Sequence, residues 1–323
     1  MQNFKFIRSD ITDPQFNIAS EEYLLKHTDG YYVYLWQNSP SVIVGSNQNT
    51  LLEVNLKKAD ELSVKTVRRL TGGGAVYHDL GNICYTIIAP YAENVNAFRI
   101  FSEPLITFLQ TLGITAEFSG RNDVLIDGKK ISGTAQVVYK DRVLHHGTIL
   151  FDTDLTVLGE LLTANKLKTE SKGVKSVKSR VTNVKDYLKT DINVKEFFNA
   201  LCSFFSENLE EYKFTDKDNL EINNLVNEKY STYEWNIGYS PKGNTRFDAR
   251  FLFGTFTLTF DLIDGKISSA EIFGDFFTKG DIKTITTKLN GKAFIKADFE
   301  NAFENVDNVI IGAKKEEILN TIF

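Results

Sequence analysis

Cysteine is scarce: 323 residues contain only Cys84 and Cys202, in unrelated surroundings, which excludes a disulfide framework and a CxxC-type metal site. No run approaches the roughly 18–20 apolar residues of a membrane-spanning helix, and the opening MQNFKFIRSD lacks the apolar core of a signal peptide. Together these absences predict a reducing, cytoplasmic setting and no membrane partner. Positive charge is not in excess either. The 37 basic and 42 acidic side chains give a net charge of −5, which excludes wholesale coating of nucleic acid and favours a small-molecule or protein partner. One methionine and 5 prolines read as compositional drift without functional content. What is present is ordinary for a globular chain: 42% apolar, 24% charged and 12% aromatic residues exclude disorder as the main state. At roughly 100–200 residues per domain, the length allows one large or two ordinary domains.

The pattern of elements is α+β. The segment from Asn17 to His27 carries Ile18, Tyr23, Leu24 and Leu25 at helical spacing, with Asn17 as the expected N-cap. The runs YYVYLWQ and VIVG, joined by NSPS, predict two neighbouring strands of one sheet. From Ala97, the residues Phe98, Phe101, Leu105, Phe108 and Leu112 predict an amphipathic helix stopped by Gly113, with its start or a kink near Ser102 because of Pro104. Turns at Asp127-Gly128 and Lys140-Asp141-Arg142 divide residues 123–152 into a three-stranded meander. Helices are expected again at Leu155–Leu162 and Val194–Leu209, covering a sheet face. Asn236–Thr245, with Gly238, Pro241 and Gly243, reads as a linker. Beyond it, Thr255, Thr257 and Thr259 alternate with Phe256, Leu258 and Phe260, predicting one wet and one buried face. Three short helical patterns follow, at Ile282–Leu289, Ala297–Phe303 and Lys314–Ile322. The expected domains are 1–240 and 246–323, the second a small α+β unit.

Four segments carry potential chemistry. The first, Arg68-Arg69-Leu70-Thr71-Gly72-Gly73-Gly74-Ala75-Val76-Tyr77-His78-Asp79, lies between strand-like VKTV and ICYTII. Three glycines allow close backbone approach and aim N–H groups at an anion, while the arginines add charge. This is either a phosphate or carboxylate cradle or a plain hairpin with solvated arginines. No Gly-Lys-Ser/Thr closes it as in a Walker A loop, and a strand follows where a dinucleotide fingerprint needs a helix. In the second, Gly120-Arg121-Asn122-Asp123 precedes Lys129-Lys130-Ile131-Ser132-Gly133-Thr134-Ala135. Strict alternation places Lys130, Ser132 and Thr134 on one face and Lys129 on the other. A lysine fixed on a strand is a point charge for a phosphate undergoing substitution, and Asp123 is a candidate Mg²⁺ ligand; a solvated hairpin tip is the alternative. Third, adjacent strand residues His145 and His146 face opposite ways, so only one can face a pocket, as a polar contact in preference to a metal ligand. A structural histidine is the alternative. Fourth, Lys172-Gly173-Val174-Lys175-Ser176-Val177-Lys178-Ser179-Arg180 is either a loop that closes over an anion or a solvated face. Cys84, in an apolar strand, and Cys202, in an apolar helix, read as buried structural thiols.

In order, RRLTGGGAVYHDLGN, GRNDVLIDGKKISGTAQ, HHGTILFD and KGVKSVKSRVTN resemble the lipoate-protein ligase A type of the biotin and lipoate protein ligase family, in its long form with a C-terminal accessory domain. The likeness begins at Asn17–Leu25, includes Trp36 and VIVGSNQNT, and runs to Ile272–Phe277. It implies a large domain with a mixed sheet and flanking helices, of the kind shared with biotin ligases and class II tRNA synthetases, plus the small accessory domain. The implied reaction joins lipoate to the α-phosphate of ATP, giving lipoyl-AMP and pyrophosphate. A lysine of a lipoyl-acceptor protein, such as glycine cleavage H protein or a lipoyl domain of a 2-oxoacid dehydrogenase complex, then displaces AMP. By the same resemblance Lys130 is the catalytic lysine. The implied ATP contacts are Arg69, Gly74, Ala75, Val76, Tyr77, Asn82, Asp123 and Lys130, with Asp123 the Mg²⁺ ligand. Trp36, Arg69, Gly73, Gly74, Lys130 and His146 match the lipoate pocket, and Lys172–Arg180 matches the adenylate-binding loop. No tightly bound prosthetic group and no nucleic acid are expected, and a monomer is the default.

Three positions depart from the family pattern: Ser46 and Val137 stand where relatives carry Arg, and Thr71 replaces a common Ser. They bear on substrate preference more than on reaction class. The competing functions are a lipoyl or octanoyl transferase, which needs a reachable thiolate, and a lipoate-binding protein without catalysis. A biotin ligase lacks support because its GRGRxGR block is absent.

Overall fold

The computed structural model describes residues 4–92, 97–162, 180–238, 245–263 and 266–323, apart from the side chains of residues 51 and 52. The large unit is built on an eight-stranded mixed sheet of order β11-β1-β2-β6-β10-β9-β8-β7. Its strands are β1 (Phe4–Arg8), β2 (Tyr31–Trp36), β6 (Asn82–Pro90), β7 (Glu117–Ser119), β8 (Asp123–Ile126), β9 (Lys129–Tyr139), β10 (Arg142–Leu150) and β11 (Glu210–Glu211). β1 runs parallel to both β2 and β11, while β2, β6, β10, β9, β8 and β7 pair antiparallel in succession. The expected meander is β8-β9-β10. A smaller sheet, β4-β3-β5, is formed by β3 (Ser41–Val44), β4 (Lys65–Arg68) and β5 (Val76–His78). The expectation that YYVYLWQ and VIVG pair with each other is therefore corrected, since β2 and β3 belong to different sheets. The turn at Asn38–Pro40 carries the chain from one to the other, and Asn38 is fully buried there.

Helix α1 (Pro14–Lys26) begins earlier than the Asn17 cap predicted. Asp13 accepts hydrogen bonds from Gln15 N and Phe16 N, at 2.8 and 3.1 Å, and Pro14 occupies the first turn, where its missing N–H costs nothing. Asn17 instead sits inside the helix, fully buried. The helix Ala97–Thr111 runs through Pro104 without a new start at Ser102, whose hydroxyl donates to Phe98 O at 2.8 Å. With Val194–Phe205 it packs one face of the large sheet through Leu105, Phe108, Leu109, Phe197 and Leu201. The opposite face carries α1 and Asp216–Leu225, packed on Tyr34, Trp36, Cys84 and Leu144. The site forms on this second face.

Asn236 is not linker, contrary to the sequence expectation. It is buried, its Oδ1 accepts from Arg68 N at 2.9 Å, and its Nδ2 donates to Tyr230 O at 2.7 Å. The C-terminal sheet β12-β13-β14 comprises Thr245–Phe251, Gly254–Ile263 and Lys266–Gly274, and is covered by helices Lys283–Leu289, Lys296–Ala302 and Lys315–Ile322 around a phenylalanine-rich core. The threonine face of β13 is not uniformly wet: Thr255 and Thr259 are buried, and Thr255 donates its hydroxyl to Asp275 at 2.8 Å. Among the described residues no helix is long and apolar enough to cross a membrane.

Candidate active site

Strand β9 presents its lysine through an irregularity. In the β8–β9 ladder, Val124 pairs with Ser132 and Leu125 with Lys130, leaving Ile131 without a partner. The bulge breaks strict alternation. Ser132 is fully buried away from the cavity, while Lys130 lines it together with Gly133 and Ala135. The expectation that Lys130, Ser132 and Thr134 share one face is thus corrected by the extra residue. Lys130 Nζ lies 2.8 Å from Asp123 Oδ1, with both side chains about one-third exposed. A pair that open to water is worth roughly 0–1 kcal/mol, so the ammonium is readily transferred to an incoming anion. Gly133 makes room for it: a Cβ there would stand 2.6 Å from Lys130 Nζ. The backbone of Lys130 is tied to the segment after residue 179, its N–H donating to Arg180 O at 2.8 Å and its carbonyl accepting from Thr182 N at 3.0 Å. Of the expected adenylate loop only exposed Arg180 is described; Lys172–Ser179 lie outside the described residues.

Lys130 stands at the outer end of a cavity of about 180 Å³. Gly73, Gly74, Ala75 and Val76 form one wall, and Gly133, Ala135, His146 and Thr148 the opposite one. Its inner end is closed by Ile18, Trp36, Ile43, His78 and Cys84, all at most 3% exposed. An apolar tunnel with a cation at its mouth suits an amphiphile with an anionic head.

A directional chain of hydrogen bonds braces this cavity. Trp36 Nε1 donates to Thr86 Oγ1 at 3.1 Å, and Thr86 donates to Glu21 Oε1 at 2.6 Å. Glu21 also accepts from His146 Nδ1 at 2.8 Å. His146 Nε2 lies 2.8 Å from Thr71 Oγ1, which accepts from Arg69 Nε at 2.9 Å. Glu21 is buried within α1, so the helix supplies the carboxyl group that orients His146. The two arginines of the glycine loop are buried, not solvated. Arg68 donates to the carbonyls of Gly45, Gln48 and Trp235, and Arg69 to those of Ile43, Gly72 and Gly74. Burial pushes the Arg69 guanidinium down to about 10, with Glu21 working against that shift and Arg68 with it. In this structure Arg69 holds the curvature of the loop that lines the cavity.

Of the expected site residues, Trp36, Arg69, Gly73, Gly74, Ala75, Val76, Lys130 and His146 meet at this cavity, with Asp123 paired to Lys130. Tyr77 turns its side chain into a separate cluster with Val42, Val44 and Leu161. Asn82 is fully buried at the foot of β6, donating to Cys84 Sγ at 3.3 Å. His145 occupies the far face, as adjacency requires, among Tyr85, Phe98 and Phe101. His78 and Asn122 stand inside the quoted glycine-loop and Gly-Arg-Asn-Asp motifs with no role assigned from the sequence, and Glu21 and Thr86 are not singled out at all. Cys84 is buried, as expected, but it also walls the cavity. Burial raises its thiol well above the ordinary value, and Glu21 adds to the rise. It is a poor thiolate for acyl transfer. Among the described residues no group of three or more His, Cys, Asp or Glu could hold a metal ion by itself.

The C-terminal unit meets the glycine loop directly. A Cβ on Gly72 would lie 2.3 Å from Phe276 O, and one on Gly73 would lie 3.1 Å from the Phe277 ring. Gly274 N donates to Asn47 O at 2.6 Å, and Arg121 lies over the Phe277 ring, 4.4 Å from its centroid, while donating to Phe253 O.

Comparison with known proteins places both units in one family. Residues 13–206 match the model of the lipoyl protein ligase A/B catalytic domain, and residues 240–322 that of the bacterial lipoate protein ligase C-terminus. The chain is 40% identical to lipoate-protein ligase LplJ of Bacillus subtilis (strain 168), over 97% of this chain and 98% of that protein. Among solved structures, P. falciparum LipL1 in complex with lipoate superposes with a TM-score of 0.80 at 26% identity, covering 98% of this chain and 97% of that one. A lipoate-protein ligase A bound with ATP superposes with a TM-score of 0.64 at 29% identity, covering 73% and 99%. The chain belongs to the lipoate-protein ligase family, as an enzyme of the ligase class with a catalytic domain followed by the bacterial C-terminal domain.

Proposed function

We propose that this chain activates lipoate with ATP and transfers the lipoyl group to a lysine of an acceptor protein. The observation that carries the reading is Lys130 at the mouth of an apolar cavity, held by the Ile131 bulge and the space above Gly133. Lipoate lies with its alkyl chain along the cavity and its carboxylate at Lys130. The carboxylate oxygen attacks the α-phosphate of ATP; the bond to pyrophosphate breaks, and lipoyl-AMP forms. Lys130 leaves Asp123 to neutralise both anions as they approach, an interaction that strengthens as charge develops in the transition state. The amine of the acceptor lysine then attacks the activated carbonyl, forming the amide and releasing AMP.

Asp123 suits Mg²⁺: it is a carboxylate about one-third exposed beside Lys130, and Mg²⁺ retains several waters and takes one or two carboxylates with substrate phosphates. Bound there, the ion would shield the phosphate charge. The backbone of Gly73–Tyr77 lines the nucleotide side. The catalytic unit is 1–240 and the accessory unit 246–323, the enzyme acts in the cytoplasm as a monomer, and its acceptors are glycine cleavage H protein and lipoyl domains. The raised Cys84 thiol favours adenylation over a thioester transferase.

The test is lipoate-dependent pyrophosphate release from ATP. Wild-type protein should show it, and Lys130→Ala should reduce kcat by about 10²- to 10³-fold with an unchanged melting temperature. Near-normal release by the folded variant contradicts the role of Lys130; no lipoate-dependent release by wild type contradicts adenylation.

A further inference from the structure

Two strands that wall the cavity part before they reach Lys130, and a short segment from far along the chain spans the fork. The β9–β10 ladder runs from Tyr139–Arg142 to Thr134–Gly147, after which β10 continues along β6 to Leu150. Lys130 stands on the parted stretch of β9. A strand residue points its N–H and C=O to the same edge, and on that edge both groups of Lys130 are taken by residues 180–182. Its N–H donates to Arg180 O at 2.8 Å, its carbonyl accepts from Thr182 N at 3.0 Å, and Val181 lies opposite in parallel register. The backbone of the lysine is held on this edge as firmly as the segment itself is held.

Asn183 fastens the segment to β10. Its Oδ1 accepts from Thr153 N and its Nδ2 donates to Thr153 O, both at 3.0 Å, so one side-chain amide grips both backbone groups of a residue at the exit of β10. Asn183 stands at the N-cap position of the 3₁₀ helix Val184–Tyr187, where an asparagine ordinarily turns to its own helix. Here the amide is turned to β10 instead. The grip is anchored in the core: Thr153 is 3% exposed, Phe151 and Val184 are fully buried, and Lys185 N donates to Phe151 O at 3.1 Å. The ion pair beside it, Lys185 with Asp152 at 2.7 Å, is open to water and holds little.

We infer that Asn183 is a positioning residue for the proposed adenylation. Through residues 180–182 it ties the parted stretch of β9 to the exit of β10, and so fixes Lys130 relative to the cavity wall that His146 and Thr148 of β10 provide. This rests on the role given to Lys130 in the ligase reading.

The experiment compares lipoate-dependent pyrophosphate release and backbone hydrogen exchange in wild type, Asn183→Ala, Asn183→Asp and Lys185→Ala. Asn183→Ala should lower kcat by about 10-fold, with a much smaller rise in KM for lipoate, because the lysine is displaced and not removed. Its Lys130 amide should exchange at least about 10-fold faster, while amides within the β9–β10 ladder keep their protection. Asn183→Asp keeps the acceptor for Thr153 N and loses the donor to Thr153 O. It should show a smaller loss in the same readouts, and it serves as the test if the alanine variant does not fold. Lys185→Ala removes the exposed ion pair of the same segment and should leave kcat within about twofold of wild type. Unchanged kcat or unchanged Lys130 exchange in the folded Asn183 variants overturns the inference, as does an equal loss of kcat in Lys185→Ala. Wild type that releases no pyrophosphate with lipoate contradicts the ligase reading instead, and the exchange measurement then still decides whether Asn183 holds Lys130.

Discussion

His78 and His145 are buried neutral residues on opposite faces of the large unit, and their chemistry makes the protein acid-sensitive. Burial is the leading cause in both, aided at His145 by the charge of His146, and each imidazole is pushed down to about 3. In the unfolded chain they titrate near 6.5. Below that pH the unfolded state binds protons that the folded state refuses. The stabilisation is thus complete above about pH 6.5 and is lost as pH falls toward 3, at up to about 1.4 kcal/mol per pH unit for each histidine. Urea unfolding at pH 7 and pH 5 should show this loss, and His145→Leu should shrink it by about half; equal stability at the two pH values would contradict the burial argument. Individual residues of the site were legible in the sequence where their neighbours are local. Three glycines after two arginines, and a lysine two residues past an Asp-Gly turn, carry their meaning in a few positions. Glu21 was not legible, because a glutamate in a helical pattern has the same sequence signature whether it faces water or a histidine from β10. The His78–Cys84 contact at 3.6 Å exists only once β5 and β6 are folded beside each other.

At the scale of elements, β9 shows what period-two reading can and cannot do. It located the strand and both turns, yet it cannot register an unpaired residue, and one unpaired Ile131 is what brings Lys130 to the cavity. The same strand supplies a prediction. In Gly133→Ala, the new Cβ would meet the end of the Lys130 side chain at 2.6 Å. The lysine is flexible and can yield, so stability should change little, but its ammonium would leave its position. Misplacement by about 1 Å can cost 10²-fold, so kcat/KM for lipoate activation should fall by about 10- to 100-fold with a nearly unchanged melting temperature. Full activity would show that the glycine is not holding a place for the lysine. The start of α1 teaches a related lesson. Asp13-Pro14 and Asn17 both carry start signals, and tertiary structure decides between them, because Asn17 is taken up by Ile11, Gln37 and Asn38.

Across the whole molecule, the glycine loop serves two neighbours at once. Gly73 and Gly74 line the cavity, while Gly72 and Gly73 receive Phe276 and Phe277 of the C-terminal unit. In the sequence the loop is visible as an anion cradle or a plain hairpin, and Ile272–Phe277 as the end of the family resemblance, but nothing local joins residues two hundred positions apart. Gly72→Ala would set a Cβ 2.3 Å from the backbone oxygen of Phe276, which cannot swing away as a side chain could. It should weaken docking of the C-terminal unit, lower stability by about 1–3 kcal/mol, and raise the radius of gyration in small-angle scattering; an unchanged profile and melting curve would show the contact to be dispensable. The central claim, that this cavity and its lysine make an ATP-dependent lipoate ligase, is most directly tested by the intact mass of a lipoyl domain and of glycine cleavage H protein after incubation with the enzyme, lipoate, ATP and Mg²⁺. The account predicts a gain of one lipoyl group, absent without ATP and slowed by about 10²- to 10³-fold with Lys130→Ala. A gain that appears without ATP, or no gain on either acceptor unless lipoyl-AMP is supplied ready-made, would contradict it.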